Sequence, residues 1–188
     1  PDLILIGLLY NLAIWVDKFI YWFSDEGFQI NSLLYSDSIY GTSMFIAYLT
    51  IVPSMAFFLA QIETGFYGFY RDFYGDIINK KSYSIIHQNK MEMVKILKSS
   101  LISILKFQGT ISLAVIIFAP TIIQLLKLQW VQLAIFRIGV LGAFLQVLLL
   151  IVTIILLYLE FRGAVLFITL IFFITNTLFT FITLHLDF

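Results

Sequence analysis

The sequence lacks cysteine and has little charge, and each shortage excludes a class of protein. Without cysteine, the 188-residue chain forms no disulfide and carries out no thiol chemistry. Charged residues make up 12% of the chain, about half the share that is usual in soluble domains. Eleven basic and eleven acidic residues give a net charge of zero, so no basic surface predicts a nucleic-acid partner.

Motifs for catalysis and for cofactor binding are missing from the sequence as well. His87 and His185 lie far apart and lack the spacing of a metal site. The sequence contains no Walker A motif, no dinucleotide-binding glycine motif and no nucleophile elbow. We therefore expect no enzyme activity, no catalytic residues, no metal and no cofactor.

Long apolar segments are what the chain does contain, since 61% of its residues are hydrophobic. A helix needs about 20 apolar residues to cross a bilayer. The sequence therefore predicts an all-α fold, a polytopic transmembrane helical bundle of about five spans that forms a single membrane domain, residues 1–188. The predicted spans are Leu3–Phe23, Ser38–Glu63, Leu101–Leu126, Trp130–Tyr158 and Ala164–Leu186.

Proline and glycine mark two special places in these spans. Pro53 lies in the middle of the second span and is expected to kink it, because proline cannot donate a backbone hydrogen bond. Gly139 and Gly142 lie in the fourth span, where small residues allow a neighbouring helix to approach closely.

An amphipathic segment, residues 64–106, separates the second span from the third and is predicted to form a helical hairpin. It carries seven of the eleven basic residues, whereas the loop between the first two spans has no Lys or Arg. The positive-inside rule therefore predicts that the hairpin is cytoplasmic. We predict that it docks a cytosolic partner, although a solvated face that only sets the topology is the simpler interpretation. The candidate docking residues are Lys80, Lys81, Lys90, Lys95 and Lys98.

Asp17 and Lys18 are charged residues inside the first predicted span. An ionisable group in a membrane helix costs about 2.5–3.5 kcal/mol, so it usually faces a cavity or a partner. Adjacent helical side chains do not face each other, so we expect these two to contact different neighbours. The alternative is that both are hydrated near the membrane boundary, which the aromatic residues Phe19 and Tyr21–Phe23 indicate.

Polar and aromatic side chains follow one another along the same helix. Aromatic rings can stack on the apolar faces of sugars while polar groups bind the hydroxyl rims, which suits a carbohydrate path. For any single aromatic residue, ordinary helix packing is the better explanation. In the fourth span, Arg137 could instead reach the lipid headgroups or pair with Asp17. The candidate path residues are Asn11, Trp15, Asp17, Lys18, Tyr21, Arg137 and Gln146.

Three stretches of the chain resemble one protein family. They read YNLAIWVDKFIYWF at Tyr10–Phe23, SMFIAYLTIVPSMAFFLAQIETGFYGFYRDFY at Ser43–Tyr74 and IFRIGVLGAFLQVLLL at Ile135–Leu150. In this order they are similar to the second half of the PelG family, the Pel exopolysaccharide exporters. That family is related to the multidrug/oligosaccharidyl-lipid/polysaccharide flippases.

The resemblance implies a multi-pass protein of the bacterial inner membrane, with twelve helices in two lobes. This chain would be most of the second lobe, as its start at Pro1 and its odd number of spans also suggest. The implied substrate is a galactosamine-rich, partly deacetylated biofilm polysaccharide that is exported to the periplasm. The implied partners are membrane lipid, a cytosolic glycosyltransferase and two other membrane subunits, one of which binds cyclic di-GMP. No catalytic residues are implied.

Two further functions stay open at this point. The chain could belong to a flippase that moves a lipid-linked oligosaccharide by alternating access. It could also be a scaffold that assembles the synthase in the membrane without transporting anything. Of these, the scaffold does not require a hydrated path beside Asp17 and Lys18.

Overall fold

The computed structural model is mainly helical and describes residues 2–25, 27–31, 34–61 and 65–186. Five spans in it are long and apolar enough to cross a membrane, which confirms the predicted fold class. The predicted end of the second span at Glu63 and the start of the hairpin at residue 64 lie outside the described residues. The helices are α1 (Asp2–Trp22), α2 (Ser38–Leu49), α3 (Ile51–Gln61), α4 (Tyr67–Ile78), α5 (Tyr83–Leu125), α6 (Gln132–Tyr158) and α7 (Arg162–His185), and the strands are β1 (Phe28–Asn31) and β2 (Leu34–Ser36).

The second span starts with a capped helix and is interrupted near its middle. The Asp37 carboxylate accepts hydrogen bonds from two backbone N–H groups in the first turn of α2, at 2.8 and 3.2 Å. At Thr50 the α-helical series stops, and both the backbone N–H and the hydroxyl of Thr50 donate to the Ala47 carbonyl. Pro53 follows within one turn and lacks the N–H that would continue the series. The second span is therefore interrupted between α2 and α3, close to Pro53, where the kink was predicted.

The loop between the first two spans contains a small β-hairpin that the sequence did not predict. β1 and β2 are antiparallel, with Phe28 opposite Ser36 and Gln29 opposite Tyr35. The strands have four and three residues. Strands this short give almost no alternating pattern, which is why the loop composition concealed them.

α5 is longer than a membrane span requires. Its 43 residues rise about 64 Å, roughly twice the thickness of the bilayer hydrocarbon core. Pro120 lies inside α5 near its far end without ending it. α4 joins the other end of α5 through the turn at residues 79–82 and packs against it. The cytoplasmic position of this α4–α5 hairpin stays a prediction.

The spans pack in two groups. α1 packs chiefly against α7, whereas α2 packs chiefly against α6, which also contacts α5. α1 and α2 meet mainly through long side chains rather than through close backbones. We call this boundary between α1 and α2 the seam.

The contact between α2 and α6 depends on one of the two glycines noted in the sequence. A Cβ added at Gly139 would lie 2.9 Å from Met44 Sδ and 3.0 Å from Ala47 Cβ, so the predicted close approach at Gly139 is confirmed. Gly142 is exposed, and a Cβ added there would meet nothing within 4 Å. The prediction for Gly142 is therefore wrong, because no neighbouring helix in the described structure comes close to it.

Candidate functional site

Asp17 and Lys18 form an ion pair on α1, so the prediction that they contact different neighbours is wrong. Lys18 Nζ lies 2.9 Å from Asp17 Oδ2 and 3.0 Å from Oδ1. The same ammonium donates to the Ile14 carbonyl at 3.0 Å. The two Cα–Cβ bonds diverge, but the flexible four-carbon stem of lysine lets its ammonium bend back along the helix. Since Asp17 is 3% exposed, the helix buries a pair that is neutral overall.

Tyr40 on α2 supplies another donor to the same carboxylate. Its hydroxyl donates to Asp17 Oδ2 at 2.7 Å. Its ring also stacks on Tyr21 of α1, with the ring centroids 3.9 Å apart. Hydrogen bonds to a charged acceptor are roughly twice as strong as neutral ones. The charged pair therefore connects the two sides of the seam.

Two aromatic rings lie near the Lys18 ammonium. Lys18 Nζ is 4.8 Å from the ring centroid of Tyr48 on α2 and 6.0 Å from that of Trp15. Both distances fall within the range of cation–π attraction. Tyr48 is half-buried, whereas Trp15 is exposed on α1. The ammonium thus lies between the interior of the bundle and the outward face of α1.

The outward face of α1 carries a shallow groove with a volume of about 320 Å³. Two predicted path residues, Asn11 and Trp15, are in its lining. Asn11 is exposed and donates its amide to the Gly7 carbonyl at 2.7 Å. Asp17 and Lys18 are not part of this lining, although the Lys18 ammonium lies 6.0 Å from the centroid of the Trp15 ring, which is part of it. The other lining residues are Gly7, Leu8, Leu12 and Phe19.

The two candidates on α6 occupy different environments. Gln146 is half-buried, and its side chain lies within hydrogen-bonding reach of the Tyr10 hydroxyl on α1. Arg137 is exposed near the start of α6. Asp17 pairs with Lys18 instead of Arg137, so the alternative in which Arg137 neutralises Asp17 is wrong. Among the predicted path residues, Tyr21 is therefore linked to the charged pair through Tyr40, whereas Arg137 lies away from the pair.

Three residues around the charged pair were missed by sequence reasoning. Tyr40 and Tyr48 come from α2, and the available signal was two tyrosines two helical turns apart in an apolar span. Asn176 on α7 donates its side-chain amide to the Ala13 carbonyl of α1 at 2.7 Å. The Asn176 amide thus finds a hydrogen-bond acceptor on a neighbouring span, and this bond fixes how α7 lies against α1.

The arrangement offers charge, hydroxyl groups and aromatic faces rather than a reactive centre. In the described part of the chain, no cluster of three metal-ligating side chains is found. The Asp17 carboxylate is already occupied by two donors, Lys18 and Tyr40. Such a group can exchange hydrogen-bonding partners as a polar solute passes, which is a binding role.

The α4–α5 hairpin carries the five lysines that were predicted to dock a partner. All five are exposed, but Lys81 is already engaged, because its ammonium lies 2.6 Å from Asp76 Oδ1. Asp76 is buried and also accepts a short hydrogen bond from Asn89. The hydrogen bond from Lys81, followed by that from Asn89, holds the pKa of Asp76 below its usual value although burial opposes this shift. Lys81 therefore has a structural role in the hairpin.

Comparison with known proteins gives one finding about the whole chain. The family model "PelG: Putative exopolysaccharide Exporter (EPS-E)" matches residues 1–188. No curated protein and no solved structure matches the chain significantly.

Proposed function

The chain belongs to the PelG family of exopolysaccharide exporters, and on that premise we propose that it exports a Pel-like, galactosamine-rich polysaccharide across the bacterial inner membrane. The resemblance drawn from three apolar stretches of the sequence is thereby confirmed at the level of the family. We propose in addition that the chain forms one lobe of a larger transporter. The glycan then passes along α1, between this lobe and a second one.

The observation that carries this proposal is the largely buried Asp17–Lys18 pair next to the exposed Trp15. Replacing a buried ion pair by apolar residues is often neutral or stabilising, so stability alone explains the pair poorly. A glycan in the groove would instead meet the Trp15 ring and the Asn11 amide directly. The charged pair would lie one layer deeper, where it can offer a polar partner when Trp15 moves.

The neutrality of the pair refines how an amino sugar would interact with it. An isolated Asp17 would attract a sugar ammonium strongly, but here Lys18 already supplies the positive charge. We propose that the ammonium of a passing amino sugar replaces that of Lys18 on the Asp17 carboxylate. Tyr40 keeps its own hydrogen bond to Asp17 during the exchange, so the carboxylate is never left without a donor.

The proposed partners act at the lysine-rich end of the molecule. We propose that this end faces the cytoplasm and that the exposed lysines of the α4–α5 hairpin guide a cytosolic glycosyltransferase to the exporter. Lys80, Lys90, Lys95 and Lys98 supply the positive charge for this encounter. Long-range attraction of this kind speeds association more than it strengthens the final complex.

The test is to remove both charges while keeping a polar side chain at each position, in the protein as it occurs in its membrane complex. The double variant carries Asp17→Asn and Lys18→Gln. Its matched control carries Asp72→Asn and Arg71→Gln, which neutralises another adjacent pair that is exposed, with 3.5 Å between its charged atoms. Exported polysaccharide, membrane level of the protein and copurifying glycosyltransferase are measured for both.

The proposal expects a loss of at least tenfold in export for the Asp17/Lys18 variant, with normal protein level and normal transferase binding. The Asp72/Arg71 control is expected to export normally. Unchanged export in both variants would contradict the proposed path. Loss of transferase binding together with export, at a normal protein level, would favour a scaffold over a transporter.

A further inference from the structure

Large apolar side chains are exposed at the tip of the α4–α5 hairpin, residues 77–85. Ile77 and Ile78 end an apolar stripe of α4 that begins at Phe66, whereas Tyr83 and Ile85 lie in the first turn of α5. Phe66 itself is buried against the bundle, but Ile78 and Tyr83 are 77% and 80% exposed. Ile77 and Ile85 are exposed beside them. The stripe thus packs at its base and has no cover at its tip among the described residues.

The tip lies far along α5 from the end of the second span, so we expect it to lie outside the lipid chains. The Ser100 hydroxyl donates to Gln61 Oε1 at 3.2 Å, which places Ser100 level with the end of α3. Tyr83 lies seventeen residues before Ser100 on the same continuous helix, a rise of about 26 Å. A tilt as large as 40° would still leave the tip about 20 Å outside the level of Gln61.

The tip is also held in one conformation. The backbone N–H of Lys81 donates to the Asp76 carbonyl at 3.0 Å, while the Lys81 side chain pairs with the Asp76 carboxylate. Asn89 of α5 donates to the same carboxylate. Lys80 takes a left-handed backbone conformation, φ 50°, that closes the turn. A surface that is already ordered loses little entropy on binding, which favours tight association.

The charge around the tip defines what can cover it. From Asp76 to Lys98 the chain has five lysines and two acidic residues, and one of the acidic residues, Asp76, is paired with Lys81. Lys80 and Lys90 are exposed close to the apolar tip. A partner that fits this surface therefore has an apolar pocket with carboxylates at its rim.

We propose that the hairpin tip is the docking site for a water-soluble cytosolic protein with an acidic-rimmed apolar pocket, into which Ile78 and Tyr83 insert. This inference rests on the proposed function for the cytoplasmic position of the hairpin. It deepens that function, because it proposes that two apolar side chains, and not the lysines, supply most of the binding free energy. The lysines then set the rate of encounter, whereas Ile78 and Tyr83 set the lifetime of the complex.

The experiment measures binding of the purified cytosolic glycosyltransferase to the full protein in lipid nanodiscs. Tyr83→Asp is the main variant, because an acidic residue in the first turn of α5 suits the helix dipole and should not unfold the hairpin. Ile78→Gln is the second variant. The control is Phe161→Asp, which places the same charge on an exposed apolar residue in the turn between α6 and α7.

The proposal expects Kd to rise at least tenfold in Tyr83→Asp and in Ile78→Gln, and to stay within twofold in Phe161→Asp. A thermal melt within about 2 °C of the unchanged protein shows that each variant is folded. If all three variants keep the Kd of the unchanged protein, the tip is not the docking site, and docking guided by the lysines alone stays in place. If the unchanged protein does not bind the transferase at all, the proposal that the transferase is the partner is wrong.

An experiment with vesicles distinguishes a lipid surface from a protein as the ligand of the tip. Vesicles of phosphatidylcholine with about one third phosphatidylglycerol are offered to the same nanodisc-embedded protein. We expect no vesicle binding that depends on Ile78 or Tyr83. Vesicle binding that is lost in Tyr83→Asp would show that the tip binds a lipid surface, and would overturn the proposal. Export measured with the Asp17 and Lys18 variants is independent of both results.

Discussion

The Tyr40 hydroxyl donates a 2.7 Å hydrogen bond to Asp17 Oδ2, and it does so across the seam between α2 and α1. Lys18 donates to the same carboxylate from within α1. The carboxylate is thus shared between a donor that moves with its own helix and a donor on another helix. If α1 moves away from α2, the bond to Tyr40 is lost before the bond to Lys18. This makes Tyr40 a sensitive reporter of the seam.

Substituting Tyr40→Phe removes one donor to a buried carboxylate and keeps the ring that stacks on Tyr21. We expect the free energy of unfolding to fall by about 1–3 kcal/mol, which is the cost of an unsatisfied buried partner. The measurement is denaturant unfolding of the purified protein in detergent. Tyr35→Phe, at an exposed residue of β2, is the control. Equal stabilities for the two variants would show that the seam bond contributes nothing.

Substituting Asp17→Asn alone leaves the Lys18 ammonium without a counter-charge inside the span. Removing one member of a buried ion pair costs about 3–5 kcal/mol, whereas removing both members costs much less. We therefore expect Asp17→Asn to destabilise the protein more than the double variant with Lys18→Gln does. Unfolding of both variants under the same conditions forms the test. Strictly additive losses would mean that the two groups do not interact.

Gly139 and Gly142 form a natural pair of test positions on α6. Gly139→Ala places a methyl group 3.0 Å from Ala47 Cβ and 2.9 Å from Met44 Sδ, so we expect a loss of about 1–3 kcal/mol from overpacking. Gly142→Ala meets no neighbour and should gain up to about 1 kcal/mol from helix propensity. Unfolding measurements that give the two variants the same sign of change would contradict the packing of α6 against α2.

Protonation of Asp76 should loosen the hairpin tip. Because its pKa is lower in the folded protein than in the unfolded chain, the stabilisation is complete above the unfolded pKa of about 3.9 and is lost as the pH falls through the folded value. We expect the backbone amides of residues 79–82 to keep their protection from hydrogen exchange between pH 7 and pH 5, after correction for the intrinsic exchange rates. Protection should fall below pH 4. Asp76→Asn should abolish this dependence, and a dependence that persists in it would assign the effect to another group.

The sequence predicts the spans and misses much of the candidate site, for physical reasons. Membrane spans follow from local composition, so the apolar runs were sufficient to predict five of them. The pairing of Lys18 with Asp17 depends on side-chain torsions, which the 100° spacing along a helix does not determine. Tyr40 reaches Asp17 because α2 lies across the seam from α1, and a single sequence does not reveal which helices are neighbours.

The same limit applies to the hairpin and to the glycines. A helical apolar stripe predicts that one face is covered, but it does not tell where along the helix the cover ends. Phe66 is buried against the bundle, whereas Ile78, at the other end of the stripe, is exposed. Gly139 and Gly142 are the same residue type in the same helix, and only the way α2 and α6 pack decides which one meets α2.

The central claim is that the glycan travels along the outward face of α1, and photo-cross-linking tests it most directly. A benzophenone amino acid replaces Trp15 in the groove, and in a second variant it replaces Leu141, which is also exposed, on α6. α6 runs parallel to α2 and antiparallel to α1. Because Tyr10 and Gln146 lie side by side, residues 15 and 141 are at a similar depth. During active synthesis, we predict a covalent polysaccharide adduct at position 15 and lipid adducts at position 141. Lipid adducts at both positions, with no polysaccharide at position 15, would contradict the account.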